Sequence, residues 1–128
     1  MKRFESGFTL IEVMIAILIF GLTASAIALS NAQAVSSARL IQEQTEARWV
    51  AQNYLTQMRL EHQLPSAGKK SERVTLNNKT WVVEVETSNV EMELFGPFLR
   101  RIQIRTKLEN EENFADVLEA VLGESGTP

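Results

Sequence analysis

The pattern of hydrophobic and polar positions divides the chain into a long apolar run, a helical segment with one apolar face, and a C-terminal region in which hydrophobic and polar residues alternate. From Phe8 to Leu29 there is no Lys, Arg or Asp, and at about 22 residues this run is long enough to cross a bilayer as a helix. No Pro occurs before Pro65. We therefore expect one continuous helix from about Thr9 to Glu61 or His62.

The second half of the predicted helix has apolar residues at i, i+3, i+4 and i+7 spacing, which predicts a face that packs on a sheet. These residues are Leu40, Ala47, Val50, Ala51, Tyr54, Leu55 and Met58. Trp49 falls near the border of this face, as either the edge of the core or an interface anchor.

A stripe of small residues recurs at every fourth position earlier in the helix, at Ala24, Ala28, Ala32 and Ser36. Small residues let two helices approach closely, so the stripe predicts a helix-helix contact face. Alanine is also common in helices for its propensity alone, and that reading stays open.

Beyond Pro65 the hydrophobic residues recur at every second position, which predicts antiparallel strands. Val74 and Leu76 alternate with polar residues, and Asn77-Asn78 forms a turn that tolerates positive φ. A second strand, Thr80–Thr87, places Trp81, Val83 and Val85 on one face, with Glu84 and Glu86 opposite. A third, Phe98–Lys107, places Ile102 and Ile104 inward, and its outward basic residues are available to pair with Glu84 and Glu86.

Two further segments are predicted as a loop and a helix. Ser88 to Pro97 is expected to be a loop whose apolar residues either cover the core or form a contact surface. After the acidic, capping-prone segment Glu109–Asn113, helical spacing predicts a short C-terminal helix that ends at Gly123. The apolar residues of that helix are Phe114, Val117, Leu118, Val121 and Leu122.

Composition excludes several kinds of function. The chain has 128 residues, a formal net charge of −3 and no cysteine, which argues against nucleic acid as a partner and excludes thiol chemistry. Its lone histidine, His62, has no evident nucleophile beside it, and its glycines form no phosphate loop. We expect no enzymatic activity, no cofactor and no metal, since the acidic segment lacks the ligand order of a calcium loop.

The N-terminal residues are the ones with a functional pattern. Lys2 and Arg3 precede the apolar run, which orients the rest of the chain outward from the cytoplasm. Gly7 stands before the run, whereas an ordinary secretory signal is cleaved after it. Glu12 is the one charge within the run. An unpaired acid costs about 2.5–3.5 kcal/mol at mid-membrane, so we expect a partner for Glu12 unless it lies among the headgroups.

Together with its basic leader, the segment Gly7-Phe8-Thr9-Leu10-Ile11-Glu12-Val13 resembles the class III signal of type IV pilins and type II secretion pseudopilins. The resemblance implies that a prepilin peptidase cleaves between Gly7 and Phe8 and methylates the new amino group of Phe8. It also implies that this ammonium meets Glu12 of a neighbouring subunit as a filament assembles. Glu12 then acts as an assembly register.

The segment Ala47–Leu60 resembles the helix of the I-type minor pseudopilins, known as general secretion pathway protein I. The resulting expectation is a pilin-like α+β fold, with a long N-terminal helix of a membrane half and a scaffold half. This helix packs on a small antiparallel sheet, followed by the short C-terminal helix. The expected domains are a prepilin leader (1–7), a transmembrane and assembly segment (8–30), and a periplasmic pseudopilin domain (31–128).

The resemblance implies a structural role at the pseudopilus tip, where the subunit helps to initiate the assembly that exports folded exoproteins across the outer membrane. Implied partners are the prepilin peptidase, the J- and K-type minor pseudopilins with the H type as a further candidate, the major G type, and the inner-membrane assembly platform. The implied location is the inner membrane of a Gram-negative bacterium, with one span and a periplasmic domain. A minor pilin of a type IV pilus and a single-span anchor with a periplasmic interaction domain remain open alternatives.

Overall fold

The fold consists of one long helix and four strands. The computed structural model describes residues 7–61, 64–92 and 96–123. Helix α1 spans Leu10–Leu60, and the strands are β1 (Gly68–Leu76), β2 (Lys79–Met92), β3 (Gly96–Leu108) and β4 (Asp116–Gly123). The strands form one antiparallel sheet in the order β1-β2-β3-β4. This arrangement is the pilin-like α+β fold expected from the sequence, and the chain divides into two compact units, 1–40 and 41–128.

In the first unit, the described part of α1 exposes its apolar side chains on every side. Among the hydroxyl groups of this segment, Thr23 Oγ1 donates to the Ile19 carbonyl at 3.0 Å, and Ser25 Oγ donates to the Gly21 carbonyl at 2.8 Å. Internal satisfaction of polar groups is what a helix in lipid requires. By length and composition, α1 is long and apolar enough to cross a membrane.

In the second unit, the C-terminal part of α1 packs on the middle strands of the sheet. Trp81 of β2 and Ile102 and Ile104 of β3 are fully buried, as their alternation predicts. The apolar face of α1 lies against them, and its fully buried Ala47 leaves room for close packing of helix on sheet. Leu40, which the sequence assigned to this face, belongs to the first unit and is 57% exposed.

The β1–β2 connection is the predicted asparagine turn. Asn77 and Asn78 have φ values of 52° and 59°, and Leu76 pairs with Lys79 across a two-residue loop. Two consecutive positive φ values define a type I′ turn, whose twist matches that of the flanking strands. Asparagine tolerates this conformation better than other non-glycine residues, which explains the pair of asparagines.

The predicted loop from Ser88 to Pro97 was wrong for most of its length. Strand β2 continues to Met92 and β3 begins at Gly96, with Asn89 paired to Arg100 and Val90 to Leu99. The polar residues Ser88 and Asn89 indicate a loop, but pairing with β3 satisfies their backbone groups and extends the strand. The remainder, residues 93–95, lies outside the described residues.

The predicted C-terminal helix was also wrong, because Asp116–Gly123 forms the edge strand β4. The side chains alternate: Val117 and Val121 are exposed, whereas Leu118 and Leu122 are half-buried against the core. A spacing of four residues is even, so it keeps two residues on one face in a strand as well as in a helix. Pairing with β3 and the β-branched valines favour the strand.

The outer face of the sheet carries the charge pairs expected from the sequence. The Arg105 guanidinium lies 3.5 Å from a carboxylate oxygen of Glu84 and 3.8 Å from one of Glu86. Phe114, predicted in the helix, instead lies beneath Arg105, whose guanidinium carbon is 5.1 Å from the ring centroid. These contacts link β2, β3 and the segment before β4 across the outer face.

Candidate processing and assembly site

The residues that precede α1 form the predicted cleavage segment. Gly7, Phe8 and Thr9 lie outside the helix, which begins at Leu10. Phe8 is 89% exposed, and a Cβ built on Gly7 has no atom within 4 Å. Among the described residues, no side chain crowds Gly7, and the bond between Gly7 and Phe8 lies outside the helix.

Thr9 and Glu12 form a capping box at the start of α1. Glu12 Oε2 accepts hydrogen bonds from the Thr9 backbone N–H at 3.0 Å and from Thr9 Oγ1 at 3.3 Å. In return, the Glu12 backbone N–H donates to Thr9 Oγ1 at 3.3 Å. Thr9 is thus the N-cap and Glu12 the third helical residue, the reciprocal pattern in which two otherwise unbonded donors of a helix start are satisfied.

This arrangement gives Glu12 a local role that the sequence analysis missed. The family resemblance implies a partner for Glu12 in a neighbouring subunit, and within its own chain the carboxylate is bonded to Thr9. The signal was present as Thr-x-x-Glu before an apolar run, a known helix-start signature. The carboxylate also lies in the first turn, where it interacts favourably with the helix dipole.

The small-residue stripe lies farther along the same helix. Ala24, Ala28, Ala32 and Ser36 are all within α1 and exposed. At 1.5 Å per residue, Ala24 lies about 18 Å along the axis from Glu12. The structure therefore separates the predicted helix-contact residues from Gly7, Phe8 and Glu12, which lie together at the helix start.

A buried carboxylate in the second unit was not predicted. Glu46 of α1 is 8% exposed and accepts hydrogen bonds from Lys79 Nζ at 2.7 Å, Gln42 Nε2 at 3.0 Å and Asn77 Nδ2 at 3.5 Å. The bond from Lys79 contributes most to lowering the pKa of Glu46 below its usual 4.5, and the bonds from Gln42 and Asn77 act in the same direction. This cluster ties α1 to the turn between β1 and β2.

Two further polar contacts attach α1 to the edges of the sheet. Arg48 Nη2 donates to Asp116 Oδ1 at the start of β4 at 2.8 Å, and Arg48 Nε forms an ion pair with Oδ2 at 2.8 Å. Tyr54 donates its hydroxyl to Glu72 Oε2 of β1 at 3.1 Å, and partial burial raises the pKa of Tyr54. Both pairs hold α1 in position on the sheet.

Comparison with known proteins covers both units. The family model described as Type II secretion system (T2SS), protein I matches residues 41–121, and the prokaryotic N-terminal methylation motif matches residues 2–28. The first match contains the end of α1 and nearly the whole sheet. The second contains the capping box and the predicted cleavage segment.

Curated relatives carry the same description. The type II secretion system protein I of Klebsiella pneumoniae is 32% identical over 107 residues, 84% of each chain. The protein I of Dickeya chrysanthemi is 28% identical over 125 residues, 97% of each chain. That of Pseudomonas aeruginosa is 33% identical over 81 residues, which is 63% of this chain and 62% of the relative. The chain belongs to the type II secretion system protein I family and is a minor pseudopilin of type II secretion.

Proposed function

We propose that the chain is a structural subunit of the pseudopilus tip complex, which helps to initiate the assembly that exports folded exoproteins across the outer membrane. The observation that carries this proposal is the exposed apolar surface around α1 from its start to Leu29. A helix that is apolar on all sides is stable in a membrane or among other apolar helices. A filament subunit is first anchored in the membrane and is later packed among the helices of the filament.

In this proposal, a prepilin peptidase hydrolyses the bond between Gly7 and Phe8 and then methylates the amino group of Phe8. The exposed, non-helical segment and the methylation motif over residues 2–28 support this processing. Hydrolysis leaves a carboxylate on Gly7 and an ammonium group on Phe8. The new positive charge then lies four residues from the carboxylate of Glu12.

Glu12 is proposed to set the register between neighbouring subunits. The capping box holds its carboxylate in the first turn of α1, so the charge has a defined position before assembly. Opposite charges attract strongly in a low-dielectric environment, which favours a pair between Glu12 and the Phe8 ammonium of a neighbour. The stripe from Ala24 to Ser36 is proposed to contact the adjacent pseudopilin helix.

The proposed location is the inner membrane, with one span and the sheet domain in the periplasm. Proposed partners, besides the peptidase and the assembly platform, are the J- and K-type minor pseudopilins, with the H type as a further candidate, and the major G type. The apolar helix supports membrane anchoring, and membership of the protein I family supports partners within a pseudopilus.

Deletion of the gene and complementation with variants tests the proposal. We expect loss of exoprotein release, with twitching motility and DNA uptake intact, and restoration by the wild-type chain. Glu12→Gln provides the sharper test, because a glutamine side chain still completes a capping box but carries no charge. Complementation by Glu12→Gln at the wild-type level contradicts the charge pair, and loss of twitching in place of secretion assigns the chain to a type IV pilus.

A further inference from the structure

The two edges of the sheet differ in chemistry. Strand β1 carries Lys69, Lys70, Glu72 and Arg73, all exposed. In β4 the charged residues are Asp116, which is bonded to Arg48, and Glu119. Natural proteins commonly protect exposed strand edges with charged side chains, lysine above all. Strand β1 therefore has three basic side chains along its edge, whereas β4 has no lysine or arginine and carries Glu119 as its one exposed charge.

Apolar side chains are left partly uncovered on both faces of β4. Val117 and Val121 on the outer face are 45% and 53% exposed. Leu118 and Leu122 on the inner face are only half-buried, whereas Ile104 of the neighbouring strand β3 is fully buried. A further strand beside β4 would cover these four side chains from the open side of the sheet.

The outer row of β4 indicates what kind of strand fits there. Val117, Glu119 and Val121 point to the outer face, and Gln103 of β3 donates to Glu119 Oε1 at 2.9 Å from the paired side. A strand on the open side therefore meets a valine, a carboxylate and a valine. Cross-strand pairs of apolar with apolar and of opposite charges are the favourable ones.

A second copy of the chain fits this edge poorly. In an antiparallel pair of two β4 strands, the register that places Val117 opposite Val121 also places Glu119 opposite Glu119. Like charges directly opposite each other destabilise strand pairing. A strand with a basic residue between two apolar ones is the complementary occupant.

We propose that β4 is a docking edge at which an extended segment of a different pseudopilin adds as a fifth strand, with an apolar, a basic and an apolar residue facing Val117, Glu119 and Val121. This inference rests on the proposed function as a pseudopilus subunit. In such strand addition, main-chain hydrogen bonds supply affinity and alternate side chains supply specificity.

Hydrogen exchange on complexes tests the inference. The processed full-length protein in detergent is mixed separately with the G-, H-, J- and K-type pseudopilins of the same secretion system. We expect one of them to slow amide exchange in residues 116–123 by roughly tenfold or more, with residues 68–76 of β1 unchanged. Glu119→Lys should weaken that complex about fivefold.

The control is Thr75→Lys, which also places a lysine on the exposed outer face of an edge strand and should leave affinity unchanged. It changes the charge by one unit, where Glu119→Lys changes it by two. Unchanged tryptophan fluorescence, to which the buried Trp81 contributes the signal of the folded core, verifies folding of both variants. Exchange of the basic partner residue for Glu should restore binding to Glu119→Lys.

The outcomes separate this inference from the proposed function. Binding without protection of β4, or equal losses for Glu119→Lys and Thr75→Lys, overturns the docking edge alone. Protection of β4 that rises with the concentration of the isolated protein identifies a second copy as the occupant and also overturns it. If none of the four pseudopilins binds, the proposed function fails and the inference fails with it.

Discussion

Glu46 provides a quantitative test of how α1 is attached to the sheet. Its carboxylate is 8% exposed and accepts a hydrogen bond from Lys79 Nζ at 2.7 Å, while the Lys79 side chain is 40% exposed. Lys79 can be hydrated when its partner is neutralised. Glu46→Gln should therefore lower the free energy of unfolding by less than breaking a fully buried ion pair does. Exchanging charge-assisted for neutral hydrogen bonds lowers the free energy of unfolding by about 1–2 kcal/mol.

The assay is urea unfolding of the full-length chain in detergent at neutral pH, followed through tryptophan fluorescence, in which the buried Trp81 reports on the core and the exposed Trp49 adds a background. Glu112→Gln is the matched control, since it neutralises an exposed carboxylate in the same domain and should change stability by a few tenths of a kcal/mol at most. A double-mutant cycle with Lys79→Met should show that most of the loss is shared between Glu46 and Lys79.

The pH dependence follows from the direction of the shift. Folding lowers the pKa of Glu46 from its usual 4.5, so the ionised carboxylate stabilises the folded chain above that value. The contribution is lost as pH falls through the lower, folded-state pKa. The stability difference between wild type and Glu46→Gln should therefore shrink below pH 4.5. Equal stability at neutral pH, or a difference that grows toward acid, refutes the role assigned to this carboxylate.

Three further predictions concern the helix start, the turn and the helix stripe. Thr9→Ala should reduce incorporation into pseudopili while Thr9→Ser retains it, since only serine preserves the cap; immunoblots of sheared filaments measure this. Asn78→Val should lower the free energy of unfolding by about 1–2 kcal/mol and Asn78→Gly should not, because φ at this position is 59°. Leucine at Ala28 and Ala32 should weaken co-purification with other pseudopilins, and undiminished recovery rejects the contact face.

The alternation of the chain predicted the middle of the sheet well. Trp81, Ile102 and Ile104 are buried because a strand with one face on a helix requires apolar residues at every second position. The Asn77-Asn78 turn was also predictable, since few residues tolerate two positive φ values in succession. Both features are local, and local sequence determines them.

The edge strand β4 was harder to predict, because its conformation depends on pairing with β3 and not on its own residues alone. Val117 and Val121 fit a helical face and a strand face equally well, and pairing with β3 decided between them. Glu46 shows the same limit: on α1 it looks like a solvated carboxylate until the β1–β2 turn brings Lys79 to it.

The processing site was predictable from sequence in its chemistry but not in its local geometry. The family resemblance predicted Gly7, Phe8 and Glu12 as site residues. The spacing of Thr9 and Glu12 also fits a capping box, but the capping bond from Thr9 was not predicted. Spacing alone does not say whether an acidic side chain bonds within its own helix or with another chain. The structure shows the first contact, and the second remains a prediction.

The central claim is that the chain is processed and assembled as a pseudopilin, and the intact mass of the membrane-extracted protein tests it most directly. The measurement compares cells with and without an active prepilin peptidase. The account predicts a mature chain that lacks Met1 to Gly7 and carries one additional methyl group on Phe8, formed only when the peptidase is active. A full-length, unmodified chain in the presence of active peptidase would contradict it and leave a single-span membrane anchor.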